Sequence, residues 1–275
     1  MPRLDASVMG GTDAGAVGFV ALAVGNSRAR LGRFDGRELA DPRSMSIGHS
    51  KDDAKAVADA VRSAMGDQRL AVVMSSVHAE ASDRIAEALT GIDVHRVGRD
   101  VPVPIDMAVD DVGTVGQDRL LCALAAWTRS KTACVVVDAG TALTVDFVDG
   151  EGVFQGGAIV PGVRMMLAAM ASGTAALPEV DFDPAEEPGP FGKDTRRAMA
   201  LGARSALRGA VRELVDSYAI AYEAYPPVVA TGGDAELLMH EGGLVEYVVP
   251  DLQLMGIQAS VEAAVESAID DGDAG

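Results

Sequence analysis

Apolar residues follow two different periods in the first half of the chain, and the two periods alternate. Apolar runs of strand length lie at 19–24 and 70–75, and a further short strand is predicted at 94–97. Between these runs, 51–65 and 82–89 carry apolar residues at the three- and four-residue spacing of an amphipathic helix. Strands that alternate with helices in this way predict an α/β fold, in which a sheet is covered by helices.

The second half of the chain begins like the first. The apolar run 133–137 is followed by a glycine turn and by an alternating strand at 143–147, just as the run 19–24 is followed by a glycine turn and a second strand. Residues 20–27 align with residues 135–142, a separation of 115 positions. A repeat of this length predicts two structurally related halves.

Predicted domain boundaries follow from this repeat. The first half is expected at 18–130 and the second at 131–270. Residues 1–17 are small and polar without periodicity, so they are expected to form a flexible extension, and residues 271–275 are expected to form a frayed acidic tail. Two further helices are predicted, at 194–223 and 256–269.

Charge and composition exclude several function classes. The chain has 41 acidic and 23 basic residues, a formal net charge of -18, which repels phosphate backbones and argues against nucleic-acid binding. The 11 aromatic residues are too few for a base-stacking surface. The 31 glycines, by contrast, indicate several tight turns or anion-binding loops.

Cysteine usage and hydropathy bear on metal sites and location. Cys122 and Cys134 form no CxxC pair and share no ligand spacing with the four histidines, so a structural zinc site is not expected. Both cysteines are interpreted as small buried apolar residues. Since no apolar run approaches the roughly 20 residues of a membrane span, we expect a cytoplasmic protein without membrane attachment.

Glycine turns are the first candidate binding elements. Gly25-Asn26-Ser27 and Gly140-Thr141 each lie between two predicted strands, and Thr231-Gly232-Gly233 follows a third. Backbone amides in such turns can bind phosphate oxygens, although each turn alone is also typical of an ordinary hairpin. The sequence contains neither a Walker A motif nor GxGxxG after a strand, which argues against P-loop and dinucleotide-binding folds.

The segment Gly116-Gln117-Asp118-Arg119 is the second candidate. It directly precedes the helical run 120–127, so Asp118 can be interpreted as a helix-capping residue beside a solvated arginine. The same residues also suit a general base, Asp118, next to an anion-binding guanidinium, Arg119. Local sequence alone leaves both interpretations open.

Taken in order, these motifs resemble those of the type III pantothenate kinases, which belong to the actin-like ATPase and sugar-kinase superfamily. The resemblance runs from about Phe19 to about Gln258. The matching segments are Val24-Gly25-Asn26-Ser27, Ser75-Ser76-Val77, Gly116-Gln117-Asp118-Arg119, Asp138-Ala139-Gly140-Thr141-Ala142, Gly156-Gly157-Ala158-Ile159-Val160-Pro161-Gly162, Leu177-Pro178, Gly192-Lys193-Asp194-Thr195 and Thr231-Gly232-Gly233. Eight segments in the same order make the resemblance specific.

The resemblance implies two ribonuclease H-like halves with the nucleotide cleft between them. It implies ATP with magnesium as the phosphate donor. The residues that it assigns to ATP binding are Ala23, Val24, Gly25, Asn26, Ser27, Arg28, Ala29, Arg30, Gly140 and Thr141. Asp138 matches the carboxylate that holds a monovalent cation, potassium or ammonium.

The resemblance also implies the acceptor site and a homodimer. Val109, Gly116, Gln117, Asp118, Arg119 and Thr195 match the residues that bind pantothenate. Asp118 is then the general base that takes the proton of the primary hydroxyl. Thr195 matches a threonine that reaches pantothenate from the neighbouring subunit.

Two departures from the family pattern bear on function. Ala23 stands where the family has an aspartate near the magnesium, and Val109 stands where it has a pocket tyrosine. The leading interpretation is a kinase that makes 4'-phosphopantothenate, the first step toward coenzyme A. The alternatives are a weak or inactive homologue that acts as a ligand-binding regulatory dimer, and a kinase for another small alcohol.

Overall fold

A computed structural model describes residues 18–48, 50–186, 189–239 and 244–273. Two compact units account for them. Of the described residues, unit 1 contains those up to Ile105, then Asp111–Thr128 and those from Asp251 to Asp273, and unit 2 contains Asp106–Asp110 and those from Arg129 to Pro250. The predicted extension at 1–17 lies outside the described residues.

Unit 1 is built on a five-stranded mixed sheet. Its strands are β1 (Gly18–Val24), β2 (Arg28–Asp35), β3 (Glu38–Ser46), β4 (Ala71–Ser76) and β5 (Val94–Arg96). The strand order is β3-β2-β1-β4-β5, in which β1, β2 and β3 form an antiparallel meander while β4 and β5 run parallel to β1. The parallel pairs require crossover connections, and helices supply them.

Both faces of the unit 1 sheet are covered by helices. They are α1 (Lys51–Met65), α2 (Ala79–Ala88), α3 (Gln117–Ser130) and α6 (Leu252–Asp273). Side chains alternate along β1, so Val20 and Leu22 pack with α1 and α2, whereas Phe19 and Ala21 share a cluster with residues of α3 and α6. A Cβ atom at Gly256 of α6 would lie 2.1 Å from the carbonyl oxygen of Leu121 in α3, so glycine permits a very close crossing there.

Unit 2 repeats the sheet of unit 1. Its strands are β6 (Cys134–Ala139), β7 (Ala142–Val148), β8 (Phe154–Pro161), β9 (Val228–Thr231) and β10 (Tyr247–Val248). The order β8-β7-β6-β9-β10 has the same sequence of antiparallel and parallel neighbours as β3-β2-β1-β4-β5. The repeat predicted from residues 20–27 and 135–142 is therefore confirmed.

Two helices cover one face of the unit 2 sheet. They are α4 (Val163–Gly173) and the long α5 (Thr195–Tyr222). Val137 and Val145 of the sheet pack in one cluster with Leu207 and Val211 of α5 and with Leu167 of α4. Asp194 caps α5, because its carboxylate accepts the amide of Arg197 at 2.8 Å.

The structure differs from the sequence prediction in how the C-terminal helix is used. Residues from Asp251 onward belong to unit 1 and not to the second half, because Leu254, Ile257 and Val261 pack against the β1 side of the first sheet. The helix also continues to Asp273, into the segment that was expected to fray. No helix within the described residues is long and apolar enough to cross a membrane.

Candidate active site

The hairpin between β1 and β2 forms the first glycine turn, which we call hairpin 1 (Ala23–Arg30). The amide of Gly25 donates to the carbonyl of Arg28 at 2.9 Å and closes the turn. Asn26, Ser27 and Arg28 are exposed at the tip, whereas Ala23, Val24 and Ala29 are buried in the sheet. Of the residues that the resemblance assigns to ATP, those at the tip are therefore accessible to a ligand.

Ala23 packs in an apolar cluster, but polar side chains flank it on both neighbouring strands. It is 3 % exposed and pairs in register with Arg30 on β2 and with Ser75 on β4, so the three side chains project from the same face. Within the described part of the chain, Ser75 Oγ and Arg30 Nε are buried and have no hydrogen-bond partner. Such unsatisfied groups are uncommon in native proteins and call for an explanation.

The hairpin between β6 and β7 forms the second glycine turn, which we call hairpin 2 (Asp138–Ala142). Gly140 closes it by donating to the carbonyl of Ala142 at 3.1 Å, and Thr141 is exposed. Asp138 pairs in register with Thr144 on β7 and with Thr231 on β9. Asp138 therefore takes the place in unit 2 that Ala23 takes in unit 1.

Two other glycine turns press against hairpin 2. A Cβ atom at Gly232 would lie 2.5 Å from the backbone of Ala139 and from Asp138 Oδ1, and one at Gly162 would lie 2.4 Å from the carbonyl oxygen of Thr141. Gly232 also has a φ of +93°, which other residues rarely adopt. Glycines from two segments thus lie against the Asp138 carboxylate, because a Cβ atom at Gly140 would also lie 3.3 Å from its Oδ1, while Gly162 packs against the tip of hairpin 2.

An ion pair that sequence reasoning missed lies next to hairpin 2. The guanidinium of Arg164 donates to both carboxylate oxygens of Asp234, at 2.9 and 2.8 Å, and the Asp234 side chain is only 4 % exposed. The amide of Asp234 donates to the carbonyl of Ala139, which fixes the third glycine turn against β6. The positions of the two residues, shortly after glycine motifs, were the available sequence signal.

The segment Gly116–Arg119 lies at the start of α3. The carbonyl of Gly116 accepts the amides of Arg119 and Leu120, and Asp118 Oδ1 also accepts the amide of Arg119 at 2.9 Å. A Cβ atom at Gly116 would lie 2.4 Å from Asp118 Oδ1, so the carboxylate lies directly over this glycine. Asp118 and Arg119 are half-buried, which leaves them accessible to a small ligand.

The other predicted pantothenate residues lie in unit 2. Val109 is half-buried, and a Cβ atom at Gly156 of β8 would lie 3.5 Å from its Cγ1. Thr195 is exposed and is the first residue of α5. The predicted site residues are thus divided into hairpin 1 and the start of α3 in unit 1, and hairpin 2, Val109 and Thr195 in unit 2.

These groups suit a nucleotide with its metal ion better than a metal centre made by the protein alone. Among the described residues, no three His, Cys, Asp or Glu side chains are placed to hold a metal ion together. Magnesium in phosphoryl-transfer sites is usually held by one or two carboxylates together with substrate phosphates and water.

Comparison with known sequences finds type III pantothenate kinases. The family model described as type III pantothenate kinase matches residues 19–217. A type III pantothenate kinase of Rubrobacter xylanophilus is 31% identical over 252 residues, which are 87% of this chain and 95% of that protein. One of Rhodopirellula baltica is 48% identical over 143 residues, 51% of this chain and half the length of that relative.

A solved structure gives the fold independently of close sequence similarity. Component A of the (R)-2-hydroxyglutaryl-CoA dehydratase of Acidaminococcus fermentans superposes with a TM-score of 0.57 at 15% identity, over 92% of this chain and 99% of that chain. The predicted α/β fold with duplicated ribonuclease H-like halves, the actin-like ATPase architecture, is confirmed. The match to the family model covers well over half of the sequence, and this chain belongs to the type III pantothenate kinase family.

Proposed function

We propose that this protein transfers the γ-phosphoryl group of ATP to the primary hydroxyl of pantothenate and so forms 4'-phosphopantothenate, the first step toward coenzyme A. The observation that carries this proposal is the start of α3, where the half-buried carboxylate of Asp118 lies over Gly116 beside Arg119. The family membership of the chain supports the choice of substrate.

Asp118 is the residue to which we assign the proton of the hydroxyl. Its Oδ1 accepts the amide of Arg119, a bond that fixes the orientation of the carboxyl group. Oδ2 is then the oxygen positioned to accept the proton as the hydroxyl attacks phosphorus. Gly116 has no side chain, so the acceptor can approach this carboxylate without steric hindrance.

Phosphoryl transfer needs mainly positioning and charge stabilisation, and the two glycine hairpins provide both. We assign the tip of hairpin 1, with Asn26, Ser27 and Arg28, and Gly140 and Thr141 of hairpin 2 to contacts with the phosphates. Magnesium bound with ATP supplies positive charge that offsets the developing negative charge of the transferring group.

Three finer assignments belong to the same proposal. Asp138 would hold a monovalent cation, potassium or ammonium, since its half-buried carboxylate lies against the glycine turns of Gly140 and Gly232. The protein would act as a homodimer in which the exposed Thr195 reaches the pantothenate of the neighbouring subunit. Val109, in place of a tyrosine, would line the pantothenate pocket with an apolar group.

The test is direct detection of 4'-phosphopantothenate from the purified protein with ATP, magnesium, potassium and pantothenate. Asp118→Asn should lower turnover by about 1000-fold while ATP still binds, because the general base is lost and the phosphate site is not. Asp52→Asn is the matched control, since Asp52 is also an acid in the first turn of a helix, α1.

Three outcomes would change the proposal. Turnover that survives Asp118→Asn would remove Asp118 from the mechanism. No product from a folded protein, with ATP still bound, would favour the regulatory homologue. Product formed from another small alcohol but not from pantothenate would replace the substrate.

A further inference from the structure

Hairpin 1 and hairpin 2 place different groups at one equivalent position. Asp138 is the last residue but one of β6, and Ala23 is the last residue but one of β1. Each lies between an antiparallel and a parallel neighbour in the same strand order. Hairpin 1 therefore has the strand pairing of hairpin 2 without its carboxylate, and its turn is one residue longer, since Ala23 pairs with Arg30 whereas Asp138 pairs with Thr144.

The surroundings of Ala23 retain polar groups that a carboxylate would satisfy. Ser75 is 1 % exposed, and its hydroxyl has no hydrogen-bond partner within the described residues. The same holds for the Nε of Arg30, on the other side of Ala23. Buried polar groups normally have hydrogen-bond partners, so this arrangement points to a polar group from a ligand or a side chain at this place.

A carboxylate reaches this place from another part of the chain. Arg30 Nη2 donates to Asp251 Oδ1 at 2.7 Å, across 221 positions of sequence. Asp251 immediately precedes α6, and Leu254 of that helix packs in the same cluster as Ala23. The start of α6 is therefore held over the face of the sheet that Ala23 occupies.

The ion pair between Arg30 and Asp251 is accessible to a nucleotide, whose phosphate could replace Asp251 as the partner of Arg30. The Arg30 side chain is 27% exposed and that of Asp251 is 17% exposed, so neither group is sealed from a ligand. A phosphate oxygen is a strong alternative partner for a guanidinium. A carboxylate released by that exchange is a ligand that magnesium prefers, together with phosphate oxygens and water.

We propose that Asp251 supplies to the magnesium ion of bound ATP the carboxylate that position 23 lacks. In the absence of nucleotide, Arg30 holds Asp251 in place. When ATP with magnesium binds, Arg30 turns to a phosphate oxygen and Asp251 to the metal side of the nucleotide. This inference rests on the proposed function, because it requires that hairpin 1 binds the phosphates of ATP.

The experiment measures binding and needs no turnover. Affinity for a non-hydrolysable ATP analogue is measured by calorimetry with manganese and again with a chelator, and the bound manganese is followed by electron paramagnetic resonance. Asp251→Asn should weaken binding of the metal-bound analogue by about 10-fold to 100-fold and leave metal-free binding unchanged within about twofold. Ala23→Asp in the same chain should restore most of the loss, because it returns a carboxylate between Ser75 and Arg30.

Glu262→Gln is the matched control. Glu262 lies on the same helix and accepts Arg37 at 2.8 Å, so this change breaks another ion pair between α6 and the β2–β3 hairpin, away from position 23. It should leave both affinities unchanged. Thermal unfolding of each variant verifies that the fold is retained.

Each result either supports or overturns the assignment of Asp251 to the magnesium ion. Equal losses with and without metal, or a loss that Ala23→Asp does not restore, would mean that Asp251 only positions Arg30, and the inference would fail while the kinase proposal stands. A loss of the same size in Glu262→Gln would assign the effect to helix docking and also overturn the inference. Absence of any nucleotide binding by the unaltered protein would overturn the proposed function as well.

Discussion

Hairpins 1 and 2 occupy equivalent places in the two units, yet their surroundings differ. The carboxylate of Asp138 lies beside Gly140 and Gly232, and a Cβ atom at Gly232 would meet the backbone of Ala139 at 2.5 Å. In unit 1, a Cβ atom at Gly25 would meet only the carbonyl of Arg28, at 3.2 Å, and Ala23 has no charge. Strand pairing is thus preserved between the units, while the chemistry at the ends of the strands has diverged.

The divergence of side chains between two hairpins that share their strand pairing has a physical basis. Strand order and register depend on backbone hydrogen bonds and on the alternation of buried apolar residues, which both units share. A single side chain at the end of a strand contributes little to either, so it can change without loss of the fold. The comparison suggests that hairpin 2 is a rigid charged site and hairpin 1 a more adaptable one.

Replacing Gly232 by alanine should give the largest change in stability. The new Cβ would overlap the backbone of Ala139, and φ is +93° there, so we expect a loss of about 3 kcal/mol in the free energy of unfolding. Gly25→Ala, the test in hairpin 1, should cost about 1 kcal/mol or less, because a single contact must adjust.

Urea unfolding followed by circular dichroism measures both changes. Gly209→Ala on α5 is the control, since a Cβ atom there would meet nothing within 4 Å, and it should stabilise the protein by up to about 1 kcal/mol. Equal losses at Gly232 and Gly25 would contradict the idea that hairpin 2 is the more rigid of the two.

Changing the monovalent cation should affect hairpin 2 and reveal the role of Asp138. If its carboxylate holds potassium, replacing potassium by sodium should weaken binding of an ATP analogue by about 10-fold, and Asp138→Asn should remove the difference between the two ions. Calorimetric titrations in the two salts at equal ionic strength measure this. Indifference of the unaltered protein to the ion would remove the cation from Asp138.

A smaller effect on stability is expected from the turn that follows the outer strand β5. The turn after β5 is closed by Asp100, whose carboxylate accepts the amide of Arg96 at 2.8 Å and also binds the guanidinium of Arg99. The hydrogen bond from Arg99, with that from the Arg96 amide, lowers the pKa of Asp100 below its usual value. A carboxyl group with a lowered folded-state pKa stabilises the protein at neutral pH and loses that contribution as the pH falls through the folded value.

Asp100→Asn should therefore cost about 1 kcal/mol of stability at pH 7, and the difference from the unaltered protein should shrink below about pH 4. Unfolding in urea at a series of pH values measures this. Asp59→Asn is the control, because its ion pair with Arg62 is exposed and 3.5 Å long, and it should change stability by less than about 0.5 kcal/mol. A pH-independent cost at Asp100 would contradict the charged interaction.

Two of the strands that the sequence did not predict, β3 and β8, occupy equivalent places in the two units. Strands β3 and β8 are both outer strands of their sheets. β3 is polar and contains Asp41 at a φ of +52° and Pro42, while β8 contains Gly156 at a φ of +97°. These outer strands have one paired edge and few buried side chains. Hydrogen bonds to the neighbouring strand therefore determine their structure, and their sequences show no apolar period. The helix α4 was also missed.

The sequence by itself determined the repeat, the inner strands and most helices, because these depend on local periodicity. It also determined the two glycine hairpins, one of which contains Asp138, and the segment of Asp118, because these are motifs that are contiguous along the chain. Only the tertiary structure decided that α6 belongs to unit 1 and that Arg30 pairs with Asp251 and Arg164 with Asp234. These partners lie 221 and 70 positions apart, and a pattern along the chain cannot specify which distant side chains meet. That choice is made when apolar surfaces pack and bring polar groups from different segments within hydrogen-bond distance.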